Sequence, residues 1–285
     1  MITEPTVIWD MPEDEYHAHE GSLSASGAKL LAPPAPCPAK FKHQQEKGRP
    51  DKPEFDFGHA AHRILLGKGN DIEVLVGRDG EPFTSMRTGA SKEAAKAARA
   101  AGRVPMLATE YERAEAVAKS VREDPIIGPA FTAGDAEVSL FWPDAETGVI
   151  RRARFDWITP EVAGRRRIIV DLKTARTAEP YAFGRSAADL GYAISAANYV
   201  DGAIACGLAD DPVFLLAVVE KTEPYVVTTF QADDDLLELG RALMRKAIHL
   251  YAECTRRDQW PGYVTDVARL ELPGYYIQRI EDLIA

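Results

Sequence analysis

No stretch of this sequence approaches the roughly 20 consecutive apolar residues that a membrane-spanning helix needs, so no membrane association is expected. Cysteine is scarce: Cys37, Cys206 and Cys254 lie far apart and form no CxxC pair. A disulfide framework, a structural zinc and a four-cysteine iron–sulfur cluster are thereby excluded as the basis of the fold. The opening residues, MITEPTVIWDMPEDEY, have neither a basic nor an apolar segment, so no signal peptide is expected and the location expected is cytoplasmic. Positive charge is in deficit, with 34 Lys and Arg against 44 Asp and Glu and a formal net charge of −10. Binding of nucleic acid through overall basicity is not expected of such a chain.

What is present is ordinary globular material: 285 residues, 46% apolar and 27% charged. The length suits one large domain or two small ones, and no repeat or linker divides it, so a single domain over 1–285 is expected. Its first part, 1–133, reads as mainly helical. Residues 1–22 show little periodicity. Ser24 offers an N-cap to a short helix over Gly27 to Leu31. Prolines follow, then a segment from Ala39 to Gln45, a loop from Gly48 to Pro53, and a helical pattern from Phe57 to Leu66 that Gly67 stops. A short strand within 70–83, an alanine-rich helix over Lys92 to Ala101, and a helix opened by a Thr109/Glu112 capping box complete this part.

From Gly134 the pattern changes. Glu137 to Trp142 and Val149 to Ile158 alternate as a hairpin. Arg167 to Lys173 is a third strand whose continuous Ile168-Ile169-Val170 run suits burial on both faces. One helix from Ser186 to Cys206, strands over Pro212 to Glu220 and Tyr225 to Gln231, and a long helix over Asp233 to Arg256 follow. The class is α/β: a mixed sheet with an N-terminal helical decoration.

Asp171 and Lys173, two apart on one strand, share a face, and Leu172 points away. Asp156 reaches the same patch if its strand is the neighbour. Converging carboxylates are unfavourable without a cation between them, and Mg²⁺ fits such oxygen ligands. With a lysine to orient water or stabilise phosphate charge, the set suits phosphodiester hydrolysis. An isolated Asp-x-Lys is commonly just a cross-strand ion pair; the order Glu137, Asp156, Asp171-x-Lys173 is what sets this one apart. Between Arg151 and Lys173 there are seven basic and three acidic residues. That local excess reads either as a solvated hairpin or as a field around a site.

This order resembles the PD-(D/E)xK nuclease superfamily, specifically the phage and prophage RecE-like exonucleases related to the RecB nuclease domain. The likeness runs from YHAHEGSLSASGAKLLAPPAPCPAKF through Gly58-x-x-x-His62, EVSLFW, RARFDWI and VDLKT to GYAISAANYVDG, VVEKTEPY and WPGY. It implies a restriction-endonuclease-like mixed sheet flanked by helices, with the core in 134–285. It makes Asp156 and Asp171 metal-binding carboxylates, Lys173 the catalytic lysine, and Glu137 an accessory carboxylate. His62 and the Leu172 carbonyl would face the metal, Mg²⁺ with Mn²⁺ as a substitute. Arg151, Arg152, Arg154, Tyr192 and Ser195 would meet nucleic acid, and His59 has no role. Two positions depart from the family pattern: Phe155 stands where proline is usual, and Ser195 stands in place of a longer-reaching glutamine.

The resemblance further implies degradation of linear double-stranded DNA ends, 5′-to-3′, in phage-type recombination. It brings a single-strand annealing recombinase as partner, a ring-like homo-oligomer, and the host cytoplasm if the gene is a phage's. The rival readings are another PD-(D/E)xK endonuclease, a single-strand nuclease, or a catalytically degenerate DNA-binding or assembly module.

Overall fold

The computed structural model describes residues 2–48 and 53–284. The N-terminal part holds β1 (Thr6–Ile8), α1 (Glu13–Ala18), β2 (Ser22–Ser24), α2 (Ala25–Ala28), α3 (Pro38–Lys47) and α4 (Pro53–Leu66). Next come β3 (Ile72–Val74), α5 (Gly89–Ala100), β4 (Val104–Met106) and α6 (Ala108–Glu123), with β3 and β4 paired in a small sheet. The remainder is β5 (Asp135–Pro143), β6 (Ile150–Ile158), β7 (Ile168–Ala175), α7 (Pro180–Asp189), α8 (Tyr192–Ala205), β8 (Val213–Glu220), β9 (Val227–Gln231), α9 (Asp234–Arg257) and α10 (Gly274–Ile284).

Several local expectations need correcting. The Ser186–Cys206 helix is two helices, because Gly191 adopts the left-handed conformation (φ 63°, ψ 41°) and turns the chain between α7 and α8. The capping contact of α6 lies two residues earlier than Thr109/Glu112: the Glu110 carboxylate accepts from the Leu107 N–H at 3.4 Å. Ser24 does cap α2, accepting from the Gly27 N–H at 3.2 Å, though that helix starts at Ala25. Residues 49–52 of the expected Gly48–Pro53 loop lie outside the described residues. The weakly periodic first 22 residues contain β1 and α1 and open β2.

Among the described residues, seven strands form one sheet in the order β1-β5-β6-β7-β8-β9, with β2 beside β6. Most pairs are antiparallel; β7–β8 and β2–β6 are parallel. The N-terminal part is therefore woven into the core sheet as well as decorating it. On one face, Val138, Leu140, Phe155 and Ile169 pack with Phe183 of α7 and Ala196, Val200 and Ala203 of α8. On the other, Val170, Leu172, Ala217 and Val219 pack with Ala61 and Leu65 of α4 and Val117, Ala118 and Val121 of α6. Ile169 and Val170 are both fully buried on opposite faces, as the continuous apolar run requires. Helix α9 covers α8 from outside, through Met244, Ala247 and Ile248 against Ile194. No described helix is long and apolar enough to cross a membrane.

Candidate active site

The site lies where two neighbouring strands part. β6 and β7 pair only at Trp157–Val170 and Ile158–Ile169, while the start of β6, Ile150 to Arg152, pairs with β2. Beyond Val170 the edge of β7 facing β6 has no ladder partner, and buried backbone groups must be satisfied otherwise. The Asp156 side chain does this, its Oδ2 accepting from the Leu172 N–H at 2.8 Å. The Leu172 carbonyl, on the same edge, meets His62 Nε2 at 3.0 Å and Lys173 Nζ at 3.2 Å. One peptide unit thus gathers a strand β6 acid, a helix α4 imidazole and a β7 lysine. His62 Nδ1 lies 3.7 Å from Asp156 Oδ2, and Lys173 Nζ lies 2.5 Å from Asp171 Oδ2.

Glu137 stands across from Asp156. The β5–β6 register pairs Ala136 with Trp157 and Val138 with Phe155, leaving Glu137 and Asp156 between them unpaired. Glu137 has φ 58°, which is uncommon for a residue with a side chain and costs roughly 1–3 kcal/mol. Its effect is visible in the packing. Ala136 and Val138 would share a face in a regular strand, yet Ala136 joins the α4/α6 side and Val138 the α7/α8 side. The kink brings a second carboxylate toward Asp156, where its Oε2 accepts a short hydrogen bond from Arg154 Nε.

Residues 24–271 match the family described as a PDDEXK-like domain of unknown function (DUF3799). The chain belongs to this PDDEXK-like family. A solved structure from Eubacterium rectale, described as a candidate exonuclease, superposes with a TM-score of 0.58 over 97% of this chain and 98% of that one. The two are 14% identical, so the likeness is one of fold. A second solved structure, of SSO0001, is 15% identical and covers 41% of this chain and 50% of that one, with a TM-score of 0.27. No curated protein matches the sequence. The mixed, mostly antiparallel sheet between helices is the PD-(D/E)xK nuclease fold that the sequence pattern implies.

Burial and mutual repulsion set the electrostatics of the PDDEXK-like site. Burial pushes the Asp156 carboxyl up to about 7, and the nearby Asp171 charge adds to the push. Glu137 is also raised, by burial and then by Asp156. Burial and Lys173 lower His62, leaving a neutral imidazole with a lone pair to offer. Burial works against the Lys173 charge, but Asp171 and Asp156 outweigh it and hold the ammonium above its ordinary range. Asp171 Oδ2 is buried, and its contact with Lys173 is an ion pair without the alignment of a hydrogen bond. His62, Glu137 and Asp156 each present a ligand atom, all within 4.8 Å of one another. Crowded carboxylates, a poorly satisfied carboxylate oxygen and a neutral imidazole together fit a hard divalent cation.

The PDDEXK-like fold places the remaining expected residues less favourably for contact with nucleic acid. Arg151 is buried and donates to Asn198 at 3.0 Å and Asp201 at 3.2 Å. Arg152 donates to the His19 carbonyl at 2.6 Å, and Arg154 to the Met11 carbonyl at 2.9 Å as well as to Glu137. β6 turns all three inward, onto the N-terminal segment and α8. Ser195 is buried in α8 and is not presented to a DNA strand. Tyr192, half-buried at the start of α8, does face the site, with Lys173 Nζ 5.8 Å from its ring centroid. Gly58 is not there for want of space, since a Cβ on it would meet Thr174 Oγ1 at an ordinary 3.6 Å. Tyr199 packs as a core aromatic, its ring centroid 5.4 Å from Phe155 and 5.7 Å from Phe214.

Proposed function

We propose that this protein is a Mg²⁺-dependent exodeoxyribonuclease, RecE-like in action, that degrades linear double-stranded DNA ends 5′-to-3′ in phage-type recombination or DNA processing. The observation that carries this reading is the convergence of Asp156, His62 and Lys173 on the single peptide unit of Leu172, next to Asp171. Asp156, Asp171, His62 and the Leu172 carbonyl would hold the divalent ion, with Glu137 accessory. When bound, the ion supplies Lewis acidity, which neutralises phosphate charge and makes water a better nucleophile at neutral pH. Lys173, kept protonated by its two aspartates, serves as a positioned cation for charge developing on the phosphate rather than as a base. Mn²⁺ is the expected substitute, because carboxylate and carbonyl oxygens suit it as they suit Mg²⁺. The same proposal includes a single-strand annealing partner, a homo-oligomer and a cytoplasmic site of action.

The test compares a blunt linear duplex with a closed circle of the same sequence, in Mg²⁺, in Mn²⁺ and in excess EDTA. The linear form should be consumed, the circle spared and EDTA should stop the reaction; label placed at the 5′ or 3′ end reads the polarity. Equal cutting of the circle would make the protein an endonuclease. Action on single strands alone would make it a single-strand nuclease. Inertness of the folded protein with both metals would leave the non-catalytic module.

A further inference from the structure

Two cations from distant parts of the chain meet over one aromatic ring. Lys221 follows the last residue of β8, and Arg113 lies on α6. The Phe57 ring of α4 has the Arg113 guanidinium carbon 5.2 Å from its centroid and Lys221 Nζ 5.9 Å from it. The backbone of Lys221 is fixed from two directions. Its N–H donates to the Ala175 carbonyl of β7 at 3.1 Å, and its carbonyl accepts from Arg113 Nη2 at 2.8 Å. Among the described residues, neither cation forms an ion pair with a carboxylate.

The pair stands at the same end of the sheet as the carboxylate–lysine set. β7 and β8 run parallel, with Lys173 opposite Val218 and Ala175 opposite Glu220. Lys221 is therefore displaced from Lys173 by roughly 10 Å along the strands, at about 3.3 Å per residue. In open α/β sheets, ligands collect beyond the carboxyl ends of parallel strands. Helix α4 leads from one place to the other. His62 meets the Leu172 carbonyl, Gly58 one turn earlier lies against Thr174, and Phe57 comes next. Gly58 is on the His62 face of the helix and puts no side chain along the way.

Two like charges gathered on one ring repel each other, and the negative face of the ring offsets this only in part. A nucleic-acid strand supplies charge of the opposite sign at every nucleotide, and a lysine ammonium serves a phosphate as a point charge. The half-buried Lys221 side chain, with its backbone held by β7 and α6, needs little further ordering to do so. We infer that Lys221 is a phosphate-binding residue of the nuclease site, holding a backbone phosphate that flanks the scissile one, with Arg113 beside it. The inference rests on the nuclease reading above and adds a specific contact to it. It gives the turn after β8 a share in aligning the strand.

The test separates charge from packing. Lys221→Met keeps a stem beside Phe57 and removes the ammonium; Lys221→Arg keeps the charge. Full-length proteins are compared by thermal melting, by binding of a labelled DNA duplex in Ca²⁺ at several salt concentrations, and by KM and kcat for linear duplex in Mg²⁺. Lys221→Met should melt like the wild type, bind several-fold more weakly, and show a salt slope shallower by about 0.9, the value for one lost phosphate contact. The larger share of the loss should fall on KM, and Lys221→Arg should restore most of it. If the wild type binds and cuts DNA while Lys221→Met keeps its affinity and slope, the inference alone fails and Lys221 is packing on Phe57. A lower melting point in Lys221→Met with an unchanged slope overturns it in the same way. A wild type that neither binds nor cuts DNA removes the nuclease reading and the inference with it.

Discussion

At the scale of single residues, the site is a set of acids held where water and protein alone serve them poorly. Asp156 shows this most directly. In the unfolded chain it titrates near its ordinary 3.8, whereas in the fold burial and Asp171 carry it to about 7. Between those values the native state holds a proton that the unfolded state has released, so stability from this group falls as pH rises. The depressed His62 works in the opposite sense below its ordinary 6.5, because there the unfolded chain gains a proton the native state refuses. Comparison with Asp156→Asn isolates the acid. In EDTA the variant should gain stability relative to wild type from pH 4 to pH 7 and level off above. The gain is on the order of 4 kcal/mol at most, taking about 1.4 kcal/mol per unit. Denaturant midpoints at pH 5 and pH 8 check it, and a wild-type-to-variant difference that is the same at both values would mean Asp156 is not strained in the metal-free protein. Divalent metal should stabilise the wild type and do much less for the variant.

At the scale of elements, the position of Tyr192 depends on how α8 seats against α9. Gly240 of α9 is the contact point: a Cβ there would stand 2.1 Å from the Ala193 carbonyl oxygen and 2.8 Å from the Ala197 Cβ. Those are backbone and helix atoms that cannot rotate away, so Gly240→Ala must push the helices apart. A loss of about 1–3 kcal/mol or more is expected. Gly184 of α7, with nothing within 4 Å of a built Cβ, is the control, and Gly184→Ala should hold or raise stability. Thermal melting of both variants decides it, and a wild-type midpoint for Gly240→Ala would mean the α8–α9 seat is adjustable. The strands around the site were legible because alternation in EVSLFW and RARFDWI survives into β5 and β6. The same-face placement of Asp171 and Lys173 follows from strand geometry alone. The break at Gly191 was hidden by helix-forming residues on both sides. β1 and β2 were hidden because three residues carry no period, and their partners at 139–141 and 150–152 lie more than 100 residues away. Nothing in the sequence marks Glu137 as left-handed, so its approach to Asp156 is a property of the folded sheet.

At the scale of the whole molecule, a net charge of −10 means that the proposed hold on DNA would have to come from a local field. The arginine triplet of β6 looks in sequence like the source of it, yet the fold spends those charges on joining distant parts of the chain. Arg152 grips the His19 carbonyl and Ser22 Oγ, at 2.6 and 3.2 Å, and lies 5.0 Å from the Tyr16 ring centroid. Arg154 holds Met11, and Arg151 holds α8. Together they bind residues 11–22 and α8 to the strand that carries Asp156. Removing one such partner leaves a part-buried carbonyl unsatisfied at a cost of about 1–3 kcal/mol, which for a chain of this size is roughly 2–4 °C of melting temperature per kcal/mol. Arg152→Met should therefore melt several degrees below wild type and expose the segment around Trp9 to Glu20 to limited proteolysis. Its salt slope for DNA binding should stay at the wild-type value. The opposite pattern, an unchanged melting temperature with a slope shallower by about 0.9, would return the triplet to the DNA surface. Arg152→Met thereby decides whether the positive charge of β6 holds the fold or meets the proposed substrate.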